Sequence, residues 1–74
     1  MELRIPKLGM EMTEATLTVW LTADGAAVAQ DEPLYELETD KVSSEITSPV
    51  AGVLRQVGVP GQTYQVGDVI GELR

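Results

Sequence analysis

The 74-residue chain contains neither cysteine nor histidine. Without cysteine no disulfide framework can form, and without either residue a zinc site of the Cys/His type is excluded. The common nucleophile–base pairs and the side chains that titrate near neutral pH are missing as well. A core built from so short a chain also leaves little room for a deep catalytic cleft. These absences argue against an independent enzyme.

Basic residues are scarce and scattered. Five of them stand against twelve acidic residues, which gives a net charge of −7. Nucleic acids and anionic membrane surfaces are bound by clustered positive charge, so neither is an expected partner. The acidic excess suits contact with basic patches on other proteins, and it equally suits a small domain that only needs to stay in solution.

Long apolar runs are also missing, and the N-terminal residues resemble neither a signal peptide nor an Arg- and Ser-rich transit peptide. The chain is 43% hydrophobic, which indicates a globular protein in spite of its charge. Its length predicts one domain covering residues 1–74. Because phenylalanine is absent, Val, Leu, Ile and Ala must form the core, with Trp20 and two tyrosines as the large side chains.

Turn-forming glycines, prolines and aspartates recur at short intervals, separated by stretches rich in Val, Ile, Leu and Thr. This pattern predicts many short strands in an all-β sandwich or barrel, with no stretch suited to a helix. The expected strands are Glu2–Pro6, Thr16–Leu21, Ala27–Ala29, Leu34–Thr39, Val42–Ser48, Gly52–Val57, Tyr64–Val66 and Val69–Leu73. In the second of these, Trp20 falls out of phase with the other apolar residues. A β-bulge or burial of both faces would each explain that.

The two halves of the chain repeat each other. Gly25 matches Gly61 and Glu36-Leu37 matches Glu72-Leu73, all at a spacing of 36 residues. Repetitive β sequences match themselves weakly by chance, but here turn glycines, acidic residues and core aliphatics match together. Neither half can bury its apolar face alone, so the repeat predicts two halves packed face to face about a pseudo-two-fold axis.

Lys41 lies near the hinge of this repeat. The strands Leu34–Thr39 and Val42–Ser48 leave only Asp40 and Lys41 between them, which predicts a tight hairpin with the lysine exposed. Without glycine at either central position, a type I turn is favoured over a primed turn, and the Asp40 carboxylate can bond nearby backbone N–H groups. A lone turn lysine is usually only a solvated charge. The hinge position, the acidic neighbours and the absence of other chemistry favour a role here.

The segment around this lysine resembles the attachment segment of lipoyl domains, which belong to the acyltransferase component of 2-oxo acid dehydrogenase complexes. The resemblance extends over essentially the whole chain. It rests on Glu38-Thr39-Asp40-Lys41-Val42, Glu45-Ile46, Pro49 and Ala51-Gly52, with further matches at Pro6, Leu8-Gly9, Met12-Thr13-Glu14, Trp20, Gly61, Val66-Gly67 and Ile70.

The resemblance implies that Lys41 carries lipoic acid in amide linkage. Glu38 and Asp40 would be recognised by the lipoate-attaching enzyme and the cognate dehydrogenase, and the loop from Gly9 to Ala15 would lie beside the hairpin and help select the partner. The implied fold is a flattened barrel of two four-stranded antiparallel sheets, with both termini at the end opposite Lys41.

In this interpretation the chain is a monomeric, non-catalytic carrier. It would serve the dehydrogenase, the acyltransferase core and the dihydrolipoyl dehydrogenase of one complex, in the bacterial cytoplasm or the mitochondrial matrix, and would not be secreted.

Two positions depart from the family pattern, and three other functions compete with that of a lipoate carrier. Ala15 stands where glycine is usual, which leaves the backbone entering the second strand open. Gln30-Asp31 replaces Gly-Asp, which predicts a different turn before Leu34.

Among the alternatives, a biotin carrier shares the fold but sets its lysine between two methionines, and a glycine-cleavage carrier would be longer. An unmodified interaction module is the alternative from a different class.

Overall fold

The computed structural model describes residues 1–7, 9–10 and 12–74. These residues form eight β-strands and no helix. No helix long and apolar enough to cross a membrane is therefore found among them. Each strand lies where the sequence predicts one, with ends that differ by at most two residues. The strands are β1 (Glu2–Arg4), β2 (Glu14–Trp20), β3 (Ala27–Val28), β4 (Pro33–Glu38), β5 (Ser43–Thr47), β6 (Gly52–Gln56), β7 (Thr63–Gln65) and β8 (Val69–Leu73).

The strands form two four-stranded sheets, ordered β1-β8-β6-β3 and β5-β4-β2-β7, in which all neighbours are antiparallel. Exchanging β1 with β5, β2 with β6, β3 with β7 and β4 with β8 converts one order into the other. The flattened barrel of two sheets and the pseudo-two-fold relation between the halves are therefore confirmed.

The core lies between the two sheets and draws on both. Its members are no more than 5% exposed: Leu3, Ile5, Ala15, Leu17, Val28, Leu34, Tyr35, Leu37, Leu54, Ile70 and Leu73. Burial of one such leucine or isoleucine side chain contributes roughly 1.5–3 kcal/mol, so the sheets are held face to face mainly by this layer. Leu37 belongs to it and stands at the end of β4, four residues before Lys41.

The turn before β4 corrects one expectation. The N–H of Asp31 donates to the carbonyl of Ser48 (2.7 Å), just as the N–H of Gly67 donates to the carbonyl of Ile5 (3.0 Å) in the other half. Asp31 has a φ of 71° and Gly67 a φ of 93°. The prediction of a different turn before Leu34 is therefore wrong. Asp31 adopts the left-handed conformation that glycine adopts at the equivalent position.

A β-bulge accounts for the phase of Trp20. Between Leu17 and Val19 the register of β2 against β4 shifts, so Thr18 has no partner on β4. Val19 and Leu21 are 38% and 44% exposed, which excludes burial of both faces of β2. The extra residue turns the following side chain toward the core margin, as bulges do. Of the two explanations that the sequence allows, the bulge is confirmed.

Trp20 closes one flank of the barrel. Its ring meets Tyr35 edge-on, with centroids 5.3 Å apart, and its Nε1–H donates to the carbonyl of Gly58 at 3.1 Å. The indole thus has an aromatic partner for its ring and a hydrogen-bond acceptor for its N–H. The indole therefore links β2 to the segment that follows β6.

Ala15 raises no difficulty for the strand that it opens. It is 2% exposed, lies within β2 opposite Tyr64, and does not have a positive φ. A methyl side chain therefore fits where the family usually has glycine.

Both termini lie at the end of the barrel opposite the β4–β5 connection, as the resemblance implied. The backbone N–H of Leu73 donates to the carbonyl of Met1, and the Met1 ammonium donates to the carbonyl of Leu73, both at 2.8 Å. From there β1 runs to Ile5, which bonds to Gly67. Val66, which precedes Gly67, donates its N–H to the carbonyl of Thr13, and Thr13 lies beside the lysine hairpin.

The lysine hairpin as the candidate functional site

The base of the hairpin is firmly built. Strands β4 and β5 pair from Pro33 opposite Thr47 to Glu38 opposite Ser43. β4 lies inside its sheet, with β2 on its other side. Because Leu37 is buried in the core directly behind the turn, the hairpin leaves the barrel from an anchored strand.

The turn itself is held by Thr39 and Val42. The N–H of Thr39 donates to the carbonyl of Val42 at 2.8 Å. The N–H of Val42 donates to the Thr39 hydroxyl, Oγ1, at 3.2 Å, and that hydroxyl lies 3.3 Å from the carbonyl of Val42 as a donor. Asp40 and Lys41 between them do not have positive φ, which excludes a primed turn. The type I geometry stays a prediction.

Sequence reasoning missed Thr39. It assigned the stabilising side chain of the turn to Asp40, whereas the hydroxyl of Thr39 makes the bonds. A usable signal was present, because threonine and serine commonly bond backbone groups two to four residues away.

Lys41 is exposed at the tip of the hairpin. In the part of the chain that the structure describes, its ammonium group has no hydrogen bond or ion pair; the two ion pairs found there are Arg4–Glu2 and Arg74–Glu72. A flexible four-carbon stem that is bound to nothing can reach an incoming enzyme and can be acylated without loss of a structural contact.

Acidic residues lie close to Lys41 along the chain. Glu38 and Asp40 flank it and are exposed, and Glu36 lies directly opposite Glu45 across β4 and β5. Both ion pairs among the described residues involve residues of β1 and β8 and the chain end, on the other sheet. The lysine-bearing sheet therefore presents uncompensated negative charge, and like charges directly opposite each other slightly destabilise it.

An open groove lies beside the hairpin. Its walls are residues 38–42 on one side, and Gly9, Met10, residues 12–16 and Thr63 on the other. The expected position of the loop from Gly9 to Ala15 is confirmed for these residues, while Leu8 and Glu11 lie outside the described part of the chain. Met10 is 93% exposed there, so the groove has an accessible apolar rim.

Two further observations concern the titratable and metal-binding side chains in the described part of the chain. Burial raises the pKa of the Tyr35 hydroxyl from 10.0 to about 12, which moves it further from neutral pH. Among residues 1–7, 9–10 and 12–74 no cluster of His, Cys, Asp and Glu could hold a metal ion. The arrangement can present an amine, and it can be recognised by charge and shape.

Comparisons with known proteins agree with this geometry. Residues 1–73 match the Biotin_lipoyl family model, described as "Biotin-requiring enzyme". The fold is similar to the solution structure of the lipoyl domain of the 2-oxoglutarate dehydrogenase complex from Azotobacter vinelandii, with a TM-score of 0.82 and 30% sequence identity. That match covers 99% of this chain and 94% of the other. The chain belongs to the lipoyl-domain family.

Two other relatives of this lipoyl domain are much longer proteins. It is 51% identical over 71 residues to a dihydrolipoyllysine-residue succinyltransferase component of the 2-oxoglutarate dehydrogenase complex from Bartonella vinsonii subsp. berkhoffii, covering 95% of this chain and 17% of that protein. It is 49% identical over 67 residues to a dihydrolipoyllysine-residue acetyltransferase component of the pyruvate dehydrogenase complex from Corynebacterium glutamicum, covering 89% and 10%. The lipoyl domain thus spans less than a fifth of either relative. Its sequence identity to components of two different complexes is similar, at 51% and 49%.

Proposed function

We propose that this lipoyl domain carries lipoic acid in amide linkage to Nζ of Lys41 and presents it to the enzymes of a 2-oxo acid dehydrogenase complex. The supporting observation is the exposed amine at the tip of an anchored hairpin, without a partner among the described residues. The chain has one other lysine, Lys7, which is also exposed but precedes β2 rather than standing on a hairpin.

The chemistry and the presentation are divided between the group and the protein. Lipoic acid, when bound, supplies a dithiolane ring that can accept an acyl group and two electrons. Lys41 and the attached chain give an arm of about 10–15 Å, from about a dozen bonds of roughly 1.5 Å each. The protein holds the base of that arm and raises the local concentration of its end near each partner. It has no cysteine that could exchange with the ring.

The partners follow from the names of the relatives, which are acyltransferase components of complexes acting on 2-oxo acids. This domain would be modified by a lipoate-attaching enzyme. It would then visit the dehydrogenase, the acyltransferase core and the dihydrolipoyl dehydrogenase, without catalysing a step itself. Glu38 and Asp40, exposed beside Lys41, are the residues that we assign to recognition by these enzymes. The corresponding location is the bacterial cytoplasm, or the mitochondrial matrix for a eukaryotic chain.

A biotin carrier remains the second candidate, because the matching family model covers biotin-requiring enzymes. Asp40 and Val42 flank the lysine in place of the two methionines typical of biotin carriers, and this favours lipoate.

Intact mass after co-expression tests the proposal. The chain is produced with a lipoate-attaching enzyme and, separately, with a biotin ligase, and peptide mapping locates any added group. We expect one lipoyl group on Lys41, none on Lys41→Gln, and normal lipoylation of the control Lys7→Gln. Lipoylation of Lys41→Gln would disprove the site. A biotinyl mass would favour a biotin carrier, and no modification with either enzyme would favour an unmodified interaction module.

A further inference from the structure

The connection between β4 and β5 relies on a side chain for one of its closing bonds. In a regular two-residue hairpin, both bonds across the turn join backbone groups. Here the N–H of Thr39 donates to the carbonyl of Val42, but the N–H of Val42 donates to the Thr39 hydroxyl. One side chain therefore stands where a backbone acceptor is usual.

That hydroxyl addresses both polar backbone groups of Val42. Oγ1 accepts from the N–H at 3.2 Å and donates to the carbonyl at 3.3 Å, which uses the donor and one acceptor site of the hydroxyl. Val42 follows Lys41 directly, so this pair of bonds fixes the chain immediately after the lysine. Thr39 itself is half-buried, while its two bonds to Val42 are exposed to solvent.

Apart from the backbone bond from the Thr39 N–H to the Val42 carbonyl, no other contact among the described residues holds the tip. The side chains of Asp40 and Lys41 have no hydrogen bond or ion pair there, and Val42 is 51% exposed. The direction in which Lys41 leaves the barrel therefore depends on the backbone of the turn, and that backbone depends on Thr39.

We propose that Thr39 is a positioning residue for Lys41: its hydroxyl holds the turn in the one conformation that the lipoate-attaching enzyme recognises. This inference rests on the proposed function. For an enzyme that binds only the ordered turn, the apparent affinity equals the intrinsic affinity multiplied by the fraction of the domain in which the turn is ordered. The chemical step is unchanged. Loss of the hydroxyl therefore raises KM and leaves kcat as it is.

Two substitutions separate the hydroxyl from the shape of the side chain. Thr39→Val keeps the β-branched shape and removes both hydroxyl bonds, whereas Thr39→Ser keeps the hydroxyl and removes the methyl group. Thr47→Val is the matched control, because Thr47 is exposed on β5 and its side chain makes no hydrogen bond within the described part of the chain. A fourth variant, Thr39→Ala, is used if Thr39→Val does not fold.

Kinetics of modification and amide exchange are measured on the unmodified 74-residue chain; its relative from Azotobacter vinelandii, of similar length, was solved in solution as a lipoyl domain. With lipoic acid, ATP and a lipoate-attaching enzyme, we expect Thr39→Val to raise KM at constant kcat, by up to the roughly three- to tenfold that corresponds to one net hydrogen bond. Hydrogen exchange at the Val42 amide should accelerate by a similar factor. Thr39→Ser should restore most of both, and Thr47→Val should match the wild type.

An unchanged KM for Thr39→Val, alongside faster exchange at Val42, would overturn the inference. A fall in kcat alone, or the same rise in KM for Thr47→Val, would overturn it too. If the wild-type chain is not lipoylated at Lys41, the proposed function fails instead, so the two failures are distinguished by the wild type.

Discussion

Asp31 and Gly67 occupy equivalent positions in the two halves of the domain and adopt the same left-handed backbone conformation, with φ of 71° and 93°. Each donates its N–H to a carbonyl in the other half of the chain: Asp31 to Ser48, which follows β5, and Gly67 to Ile5, which follows β1. Asp31 is the one non-glycine residue with a positive φ in the described chain. Aspartate tolerates this region better than most residues, but it still carries a steric penalty that glycine lacks.

Asp31→Gly should therefore stabilise the domain. Relief of the left-handed penalty outweighs the added chain entropy of glycine, and we expect the free energy of unfolding to rise by about 0.5–1 kcal/mol. Chemical denaturation measures this directly. Gln30→Gly is the control, since Gln30 does not have a positive φ and should gain nothing. Equal stabilisation by both changes would show that backbone strain at Asp31 is not the cause.

Gly71→Ala should destabilise the domain through overpacking. An added Cβ would stand 2.9 Å from the carbonyl oxygen of Arg55 and 3.2 Å from Cη2 of Trp20. Because the first contact is with backbone, we expect a loss of about 1–3 kcal/mol and a change in tryptophan emission. Gly9→Ala provides the control, as its Cβ meets nothing within 4 Å. A loss as large for Gly9→Ala would contradict the steric explanation.

We expect the domain to lose stability at high pH because of the buried Tyr35. Burial raises its pKa from 10.0 to about 12 in the folded chain. Between those values the unfolded chain has lost a proton that the folded chain keeps, so the free energy of unfolding falls as pH rises; below pH 10 the effect is absent. The stability difference between wild type and Tyr35→Phe, measured by urea denaturation from pH 8 to 12, should shrink above pH 10. A constant difference would show that Tyr35 does not titrate differently in the two states.

Asp40→Ala should impair recognition more than folding. The side chain is exposed and makes no bond within the described structure, so the free energy of unfolding should change by less than about 0.5 kcal/mol. Reductive acylation of the lipoylated domain by the cognate dehydrogenase should fall on the order of three- to tenfold in kcat/KM. Glu32→Ala, an exposed carboxylate at the far end of β4, should leave that rate unchanged. Wild-type rates for Asp40→Ala would remove its assigned role.

Most of the fold could be predicted because its determinants are local. Turn residues bound each short strand, and the repeat at 36 residues indicated which strands are equivalent. The position of Lys41 on a hairpin followed from the two-residue gap between adjacent strands.

What sequence reasoning could not decide depends on tertiary contacts. The bulge at Thr18 is visible only when β2 is set against β4, since periodicity alone fits two explanations equally. The turn at Asp31 forms because Ser48, in the second half of the chain, supplies the accepting carbonyl, and no local pattern reveals that partner. The bonds of Thr39 are local, by contrast, and the tendency of threonine to bond nearby backbone groups could have predicted them.

The paired bonds between Met1 and Leu73 set the geometry of any tether. A polypeptide joined after Arg74 would leave the barrel at the end remote from Lys41, so a linker and the arm that we propose on Lys41 would extend in opposite directions. Their lengths then add, with the barrel as a rigid spacer between them. Further domains on such a linker would therefore start away from the amine, which would leave Lys41 accessible to the enzymes that we propose as its partners.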